Sequence, residues 1–214
     1  MFFVIFIMKS IFLNNILNKI NYMYIVFEGI DGAGKSTQIK LLKEWLEANG
    51  YEVETLVEPT DSEVGKLIRK ILQRSDATTD RVQKTLGLLF AADRMLIMDK
   101  LSDEKKVILS DRSFISSLAY QEPADWIAEI NKYAKTPDLV LLLDLDVKKS
   151  VSRTSGEDEF ENEEFLTQVK ENYLEIIKNF NHEIIDANNG VNKVSSDIKK
   201  AVASCVGLCP DCIP

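Results

Sequence analysis

The chain has 214 residues, 45% hydrophobic and 28% charged, an ordinary globular composition with enough length to bury one sizeable core. A formal charge of −8 argues against general binding to nucleic-acid phosphates. Any anionic substrate would need local basic residues on this acidic background. The arginines at 69, 74, 81, 94, 112 and 153, set against twenty lysines, are therefore informative one by one.

Residues 1–8 form a short apolar run, followed by an Asn-rich polar stretch over 14–21. Such a run is too short to span a bilayer, which takes about twenty residues. It also lacks the basic start and small-residue cleavage site of a signal peptide. The expectation is a cytoplasmic protein with no membrane partner. Met23 opens a clean strand, so 1–22 reads as an N-terminal extension, either lost to a later start codon or kept as an added arm.

From there the elements alternate. Residues 24–28 are a β-branched and aromatic run that meets glycines at once. Residues 35–49 carry Ile39, Leu41, Leu42, Trp45 and Leu46 at helical spacing and stop at Asn49-Gly50. Residues 51–57 alternate as a strand. Helices follow over 61–74 and, longer, over 80–101. Strands are expected at 107–109, 139–143 and 183–185, and a last helix at 191–206. Strands alternating with helices in units of about thirty residues imply a parallel sheet with helical crossovers. The fold expected is α/β and three-layered, and with the phosphate-loop pattern of residues 29–36, GIDGAGKS, after its first strand it is a P-loop NTPase fold with five parallel strands and binding groups at their C-terminal ends. The domain spans 23–206, includes a lid segment at 146–162, and leaves 207–214 as a tail.

The segment Gly29-Ile30-Asp31-Gly32-Ala33-Gly34-Lys35-Ser36 sits between a strand and a helix, as a phosphate-binding loop requires. Its backbone N–H groups and the following helix N-terminus supply positive potential for ATP phosphates. Lys35 adds a cation toward the β/γ bridge, the Ser36 hydroxyl suits Mg²⁺, and Thr37 continues the loop. Asp31 does not help bind a phosphate; it can face an arginine, face a second substrate, or close an Asx bond in the loop.

Three further segments bear on an acceptor. Asp111-Arg112-Ser113 ends a buried strand beside the loop, where Asp111 can assist Mg²⁺ through water and Arg112 can clamp a phosphate. Alternatively the two pair with each other and cap a helix. Phe90 and Arg94 lie at i and i+4 and suit a flat, hydrogen-bonding base, unless they are a core Phe beside a surface Arg. Tyr120 and Gln121 offer a phenol and an amide.

Taken in order, residues 27–38, Glu58-Pro59-Thr60, Leu89-Phe90-Ala91-Ala92-Asp93-Arg94, Asp111-Arg112-Ser113, Ala119-Tyr120-Gln121 and Pro137-Asp138-Leu139 resemble the thymidylate kinase family. The resemblance runs from about 23 to 187. It implies transfer of the ATP γ-phosphoryl group to dTMP, with Mg²⁺, by a homodimer. It implies that Phe90 stacks on thymine, Arg94 bonds its edge and Tyr120 crowds the 2′ position. Gln121 would hold base or sugar, and Arg112 the acceptor phosphate. Asp31 would reach the 3′-hydroxyl or a neighbouring arginine, and Glu58 would lie near the reacting groups.

Two features depart from that pattern. Val57 stands where the family often has an arginine, leaving Lys66 or Arg69 to replace it. The family takes its transition-state arginine from the loop or the lid; here the loop has none and Arg153 is the lid's sole arginine, so the resemblance gives that role to Arg153, unless it pairs with the acidic run 157–161. Cys205, Cys209 and Cys212 can bind a metal or form a loose tail. Alternatives to a dTMP kinase are another pyrimidine (deoxy)nucleotide or deoxynucleoside kinase, and a non-catalytic ATP-binding module.

Overall fold

The computed structural model describes residues 22–102, 106–153 and 163–206. Outside it lie most of the N-terminal extension, the lid beyond Arg153 with its acidic run, and Cys209 and Cys212.

Five strands, β1 (Met23–Glu28), β2 (Val53–Val57), β3 (Val107–Asp111), β4 (Leu139–Asp144) and β5 (His182–Asp186), form one parallel sheet in the order β2-β3-β1-β4-β5. Every β1 residue is buried: the apolar run Met23–Phe27 suits a central strand covered on both faces, and Glu28 is buried with it. The helices are α1 (Lys35–Ala48), α2 (Glu63–Leu72), α3 (Asp80–Met95), α4 (Phe114–Tyr120), α5 (Ala124–Ile130), α6 (Val147–Arg153), α7 (Glu163–Ile176) and α8 (Val191–Val206). They flank the sheet, α1 packing with α8, α4 with α7 and α2 with α3. This is the α/β P-loop architecture read from the sequence.

Register places the chemistry. Phe27 and Val57 both pair with Asp111, so Glu28, Glu58 and Arg112 follow side by side at the carboxyl edge of the sheet. The backbone continues that alignment: Arg112 N–H donates to Phe27 O and Glu58 N–H to Asp111 O, both at 3.0 Å. Chain direction diverges on the two sides of β1, which makes this edge a topological switch point.

The helix read over 80–101 is shorter. It ends at Met95, and Ile97 and Lys100 then take i−3 hydrogen bonds that tighten the chain into a 3₁₀ turn at Lys100–Ser102. Burial of Ile97 and Leu101 turns the chain in toward β3, overriding helical propensity. The sequence reads α6 only as the start of the lid, and helices α5 and α7 escape it. The second carried a legible signal in Leu166, Val169 and Tyr173, which share its buried face.

Candidate functional site

The phosphate loop begins where β1 runs out of room. A Cβ on Gly29 would lie 2.6 Å from Leu143 O, and Gly29 has φ +134°, so no side chain fits there. At the other end Gly34 opens α1 with φ +90° and no side-chain cap, which leaves the helix N–H groups for an anion. Lys35 is buried and donates to Gly29 O (3.0 Å) and Ile30 O (3.2 Å). Burial, helped by Arg112 and opposed by Asp31, Asp111 and Glu28, pushes its ammonium down to about 8. Ser36 Oγ donates to Asp111 Oδ2 at 2.6 Å. Gly32, Gly34, Lys35, Ser36, Thr37 and Asp111 line a cleft of about 410 Å³. Ile30 and Ala33 are buried beneath it.

Helix α6 is fastened onto this loop. Ser150 Oγ donates to Asp31 O at 2.6 Å and Arg153 Nη1 to Gly32 O at 2.9 Å. Arg153 therefore sits against the loop backbone. Its expected alternative partners, 157–161, lie outside the described residues.

Arg112 adopts φ +75°, an uncommon conformation for a residue with a side chain. Its Nη2 donates to Asp31 Oδ1 at 2.6 Å, its Nη1 to Ser116 Oγ (3.0 Å) and Tyr173 OH (3.2 Å), and its guanidinium lies 5.2 Å from the Tyr120 ring centroid. Burial opposes the Arg112 charge, yet Tyr120, Tyr173, Asp31 and Glu28 hold it protonated above its ordinary range. Desolvation raises the Asp31 carboxyl, but Arg112 and Lys35 outweigh it and hold it below its usual range. Asp31 thus faces an arginine rather than closing an Asx bond. The Asp111–Arg112 helix-capping alternative fails as well: Asp111 holds Ser36, and Ser113 caps α4 by accepting from Ile115 N–H at 3.2 Å.

A second cleft, about 220 Å³, is walled by Phe90, Leu72, Leu86, Tyr120 and Gln121, with Arg94 and Ser117 at its polar end. Arg94 is only 4% exposed, so the core-Phe, surface-Arg alternative is overturned. Its Nε donates to Glu58 Oε2 (2.6 Å), Nη1 to Asn131 Oδ1 (2.7 Å), and Nη2 to Ser117 Oγ (2.9 Å) and Ser113 O (3.1 Å). Phe90 lies 5.7 Å from the guanidinium. Burial pushes the Glu58 carboxyl up, against the pull of Arg94. Tyr120 is pushed up to about 12 by burial, opposed by Arg112. The Tyr120 hydroxyl and Gln121 Oε1 are buried without a hydrogen-bond partner among the described residues. Asp31, Glu58 and Arg112 line both clefts.

Sequence reasoning overlooked the supports. Buried Asp93 accepts from Thr60 N–H (2.7 Å), Thr60 Oγ1 (2.6 Å) and Ser62 Oγ (2.6 Å), fixing the loop after Glu58. Asn131, Ser117, Ser116, Tyr173 and Glu28 were also missed. Only Glu28 announced itself, as a carboxylate closing a wholly apolar strand. Val57 is exposed at the cleft's lip. Of its expected substitutes, Lys66 pairs with Glu63 at 2.6 Å, while Arg69 binds the Pro59 and Thr60 carbonyls behind the cleft loop.

Known proteins align with this chain as follows. The family model for thymidylate kinase matches residues 27–198. A probable thymidylate kinase of Methanobrevibacter smithii is 82% identical over 191 residues, covering 89% of this chain and all of that one. A probable thymidylate kinase of Methanothermobacter thermautotrophicus is 46% identical over 189 residues, covering 87% of this chain and 97% of that one. The solved thymidylate kinase structure from Candida albicans superposes with a TM-score of 0.73 at 25% identity, over 85% of this chain and 91% of that one.

Proposed function

The chain belongs to the thymidylate kinase family, and from that premise we infer that its two clefts carry transfer of the γ-phosphoryl group of ATP to dTMP, giving dTDP and ADP. The observation that carries this reading is the meeting of a phosphate-loop cleft and an aromatic cleft at Asp31, Glu58 and Arg112. Phosphoryl transfer is catalysed mainly by positioning and charge stabilisation, and the side chains present can supply both.

ATP phosphates lie along residues 29–37, with Lys35 leaving the loop carbonyls for the β/γ bridge. Thymine stacks on Phe90 with its edge toward Arg94 and Gln121. Tyr120 closes the space beside the sugar 2′ position. Arg112 holds the acceptor phosphate and Asp31 meets the 3′-hydroxyl side of the sugar. An acceptor phosphate oxygen then bonds to the γ-phosphorus as the β–γ bridging bond breaks. Arg153, already on the loop, steadies the charge on the transferring group.

The Ser36 hydroxyl and Asp111 carboxylate, 2.6 Å apart, are a hard-oxygen pair suited to Mg²⁺, Asp111 acting through water. Bound there with ATP, the cation would neutralise phosphate charge. Among the described residues no three His, Cys, Asp or Glu side chains converge on a closed metal site.

A homodimer through α3 fits the surface, where Leu88, Met95 and Leu96 form an exposed apolar stripe. Sedimentation at several concentrations tests it: a monomer throughout would remove this part of the reading. No helix among the described residues is long and apolar enough to cross a membrane, and a cytoplasmic location is proposed with the reaction.

The deciding experiment is coupled ADP release with dTMP, dUMP, UMP, CMP and thymidine as acceptors. The greatest kcat/KM is expected for dTMP. A preference for thymidine would make the protein a deoxynucleoside kinase, and ATP binding without turnover on any acceptor would make it a binding module.

A further inference from the structure

Glu28 ends an apolar strand and has no solvent exposure, yet no cation touches it among the described residues. Hydroxyls alone reach its oxygens among the described residues, while the Lys35 and Arg112 charges act on it from farther off. Ser113 Oγ donates to Oε1 at 2.7 Å, while Ser116 Oγ (2.6 Å) and Tyr173 OH (3.0 Å) converge on Oε2. A carboxylate only accepts, and each hydroxyl has a single proton to give. Each hydroxyl proton goes to Glu28 or, across the 2.9 Å between the two oxygens, from one hydroxyl to the other, and in every such arrangement only lone pairs remain toward Arg112. Both oxygens face Arg112 Nη1, at 3.0 and 3.2 Å.

We propose that Glu28, Ser116 and Tyr173 form a buried positioning relay that fixes the donor direction and orientation of the Arg112 guanidinium for the acceptor phosphate. This rests on the reading of Arg112 as the acceptor clamp. The relay engages one arm of the guanidinium from below and leaves Nη2, now on exposed Asp31, for the cleft. It also counters the unusual backbone of Arg112 by holding the side chain from three elements, β1, α4 and α7. The second oxygen of Glu28 is occupied by Ser113, the α4 cap, so the same carboxylate sets the start of the helix that carries Ser116.

An amide at position 28 would bring its own N–H groups. With its nitrogen toward Ser116 and Tyr173, one of them would have to accept from it and turn a proton toward Arg112; with its nitrogen toward Ser113, the α4 cap would have to accept instead, and in both cases the neutral amide binds the hydroxyls less firmly than the carboxylate does. Tyr173→Phe is the gentler variant, since it keeps the ring packed edge-on against Tyr120 at 6.1 Å and removes only the hydroxyl.

The test is calorimetric binding of dTMP and of ATP to the full chain, for Tyr173→Phe, Glu28→Gln and each combined with Arg112→Lys. We expect the dTMP Kd to rise about tenfold in each relay variant, with the ATP Kd within about twofold, and little further loss once Arg112 is changed. An unchanged dTMP Kd in Tyr173→Phe, or a loss that persists in full in the Arg112→Lys background, overturns the relay. If Glu28→Gln does not fold, the Tyr173→Phe pair decides alone. A wild-type chain that binds ATP but not dTMP would remove the clamp itself, a different result from wild-type binding with indifferent variants.

Discussion

Arg94 Nε donates to Glu58 Oε2 at 2.6 Å with both side chains almost wholly removed from water. Four donor contacts hold the guanidinium, one to Glu58, one to Asn131 and two to the α4 segment, so little of its fork is free. The pair is therefore scaffold as much as reader. It pins the loop after β2 to α3, and it leaves a positive, nearly rigid wall at the end of the aromatic cleft.

Breaking such a pair strands a buried charge. Glu58→Ala is expected to destabilise the protein by about 3–5 kcal/mol. For a chain of this size that is a fall in Tm of about 6–20 °C, read by thermal denaturation. Replacing both partners with apolar residues should restore most of the stability but not dTMP binding. A Glu58→Ala protein as stable as wild type would mean that the pair is open in solution.

The lowered Lys35 ammonium makes a pH-dependent claim. With a folded value near 8 against an ordinary 10.5, free Lys35 loses its proton as pH rises past 8. Polyphosphate favours the charged form, so ATP binding should take up a proton between about pH 8 and 10, and ATP affinity should weaken across that window. The same depression means that the unfolded chain binds more protons between those values. This group alone therefore makes stability rise with pH there, the penalty of burying its charge being greatest below 8. Calorimetry in buffers of different ionisation enthalpy measures the uptake; its absence would place the lysine in an ordinary, hydrated setting.

Arg153→Ala should lower kcat by about a hundredfold or more while leaving the ATP KM within a few-fold, as expected of a cation used chiefly in the transition state. Steady-state kinetics with ATP and dTMP settle it. An unaffected kcat would reassign Arg153 to holding α6 on the loop through Gly32 O.

Phe90→Ala should weaken dTMP binding by about 1–3 kcal/mol, the usual worth of one base stacked on one ring, and leave ATP binding unaltered. Equal weakening of both substrates would point to collapse of the small core of Ile68, Val82 and Leu86 behind the ring.

How far the sequence could be read follows from what kind of signal each residue carries. The loop, the strands and the segments around Phe90, Arg112 and Tyr120 stand in local patterns of spacing and composition, and those local patterns gave the fold class. Asn131, Ser117 and Tyr173 are single polar residues on helices, and only the packing of α4, α5 and α7 brings them to Arg94 and Arg112. Asp93 is the intermediate case: its neighbour Arg94 drew the functional reading, while its own bonds to Thr60 and Ser62 span about thirty residues and leave no periodic trace. Arg112's positive φ is equally silent in the sequence, where a glycine would have advertised it.

The two clefts own Asp31, Glu58 and Arg112 in common, which ties their thermodynamics together. Whatever factor bound ATP applies to the affinity for dTMP, bound dTMP must apply to the affinity for ATP, because the two paths to the ternary complex share the same end states. The sign of that factor is set by a carboxylate and a guanidinium already engaged with each other: a ligand that draws Arg112 off Asp31 alters the field its neighbour meets. Cooperation between donor and acceptor thus needs no message sent through the fold, since the two sites are written partly in the same atoms.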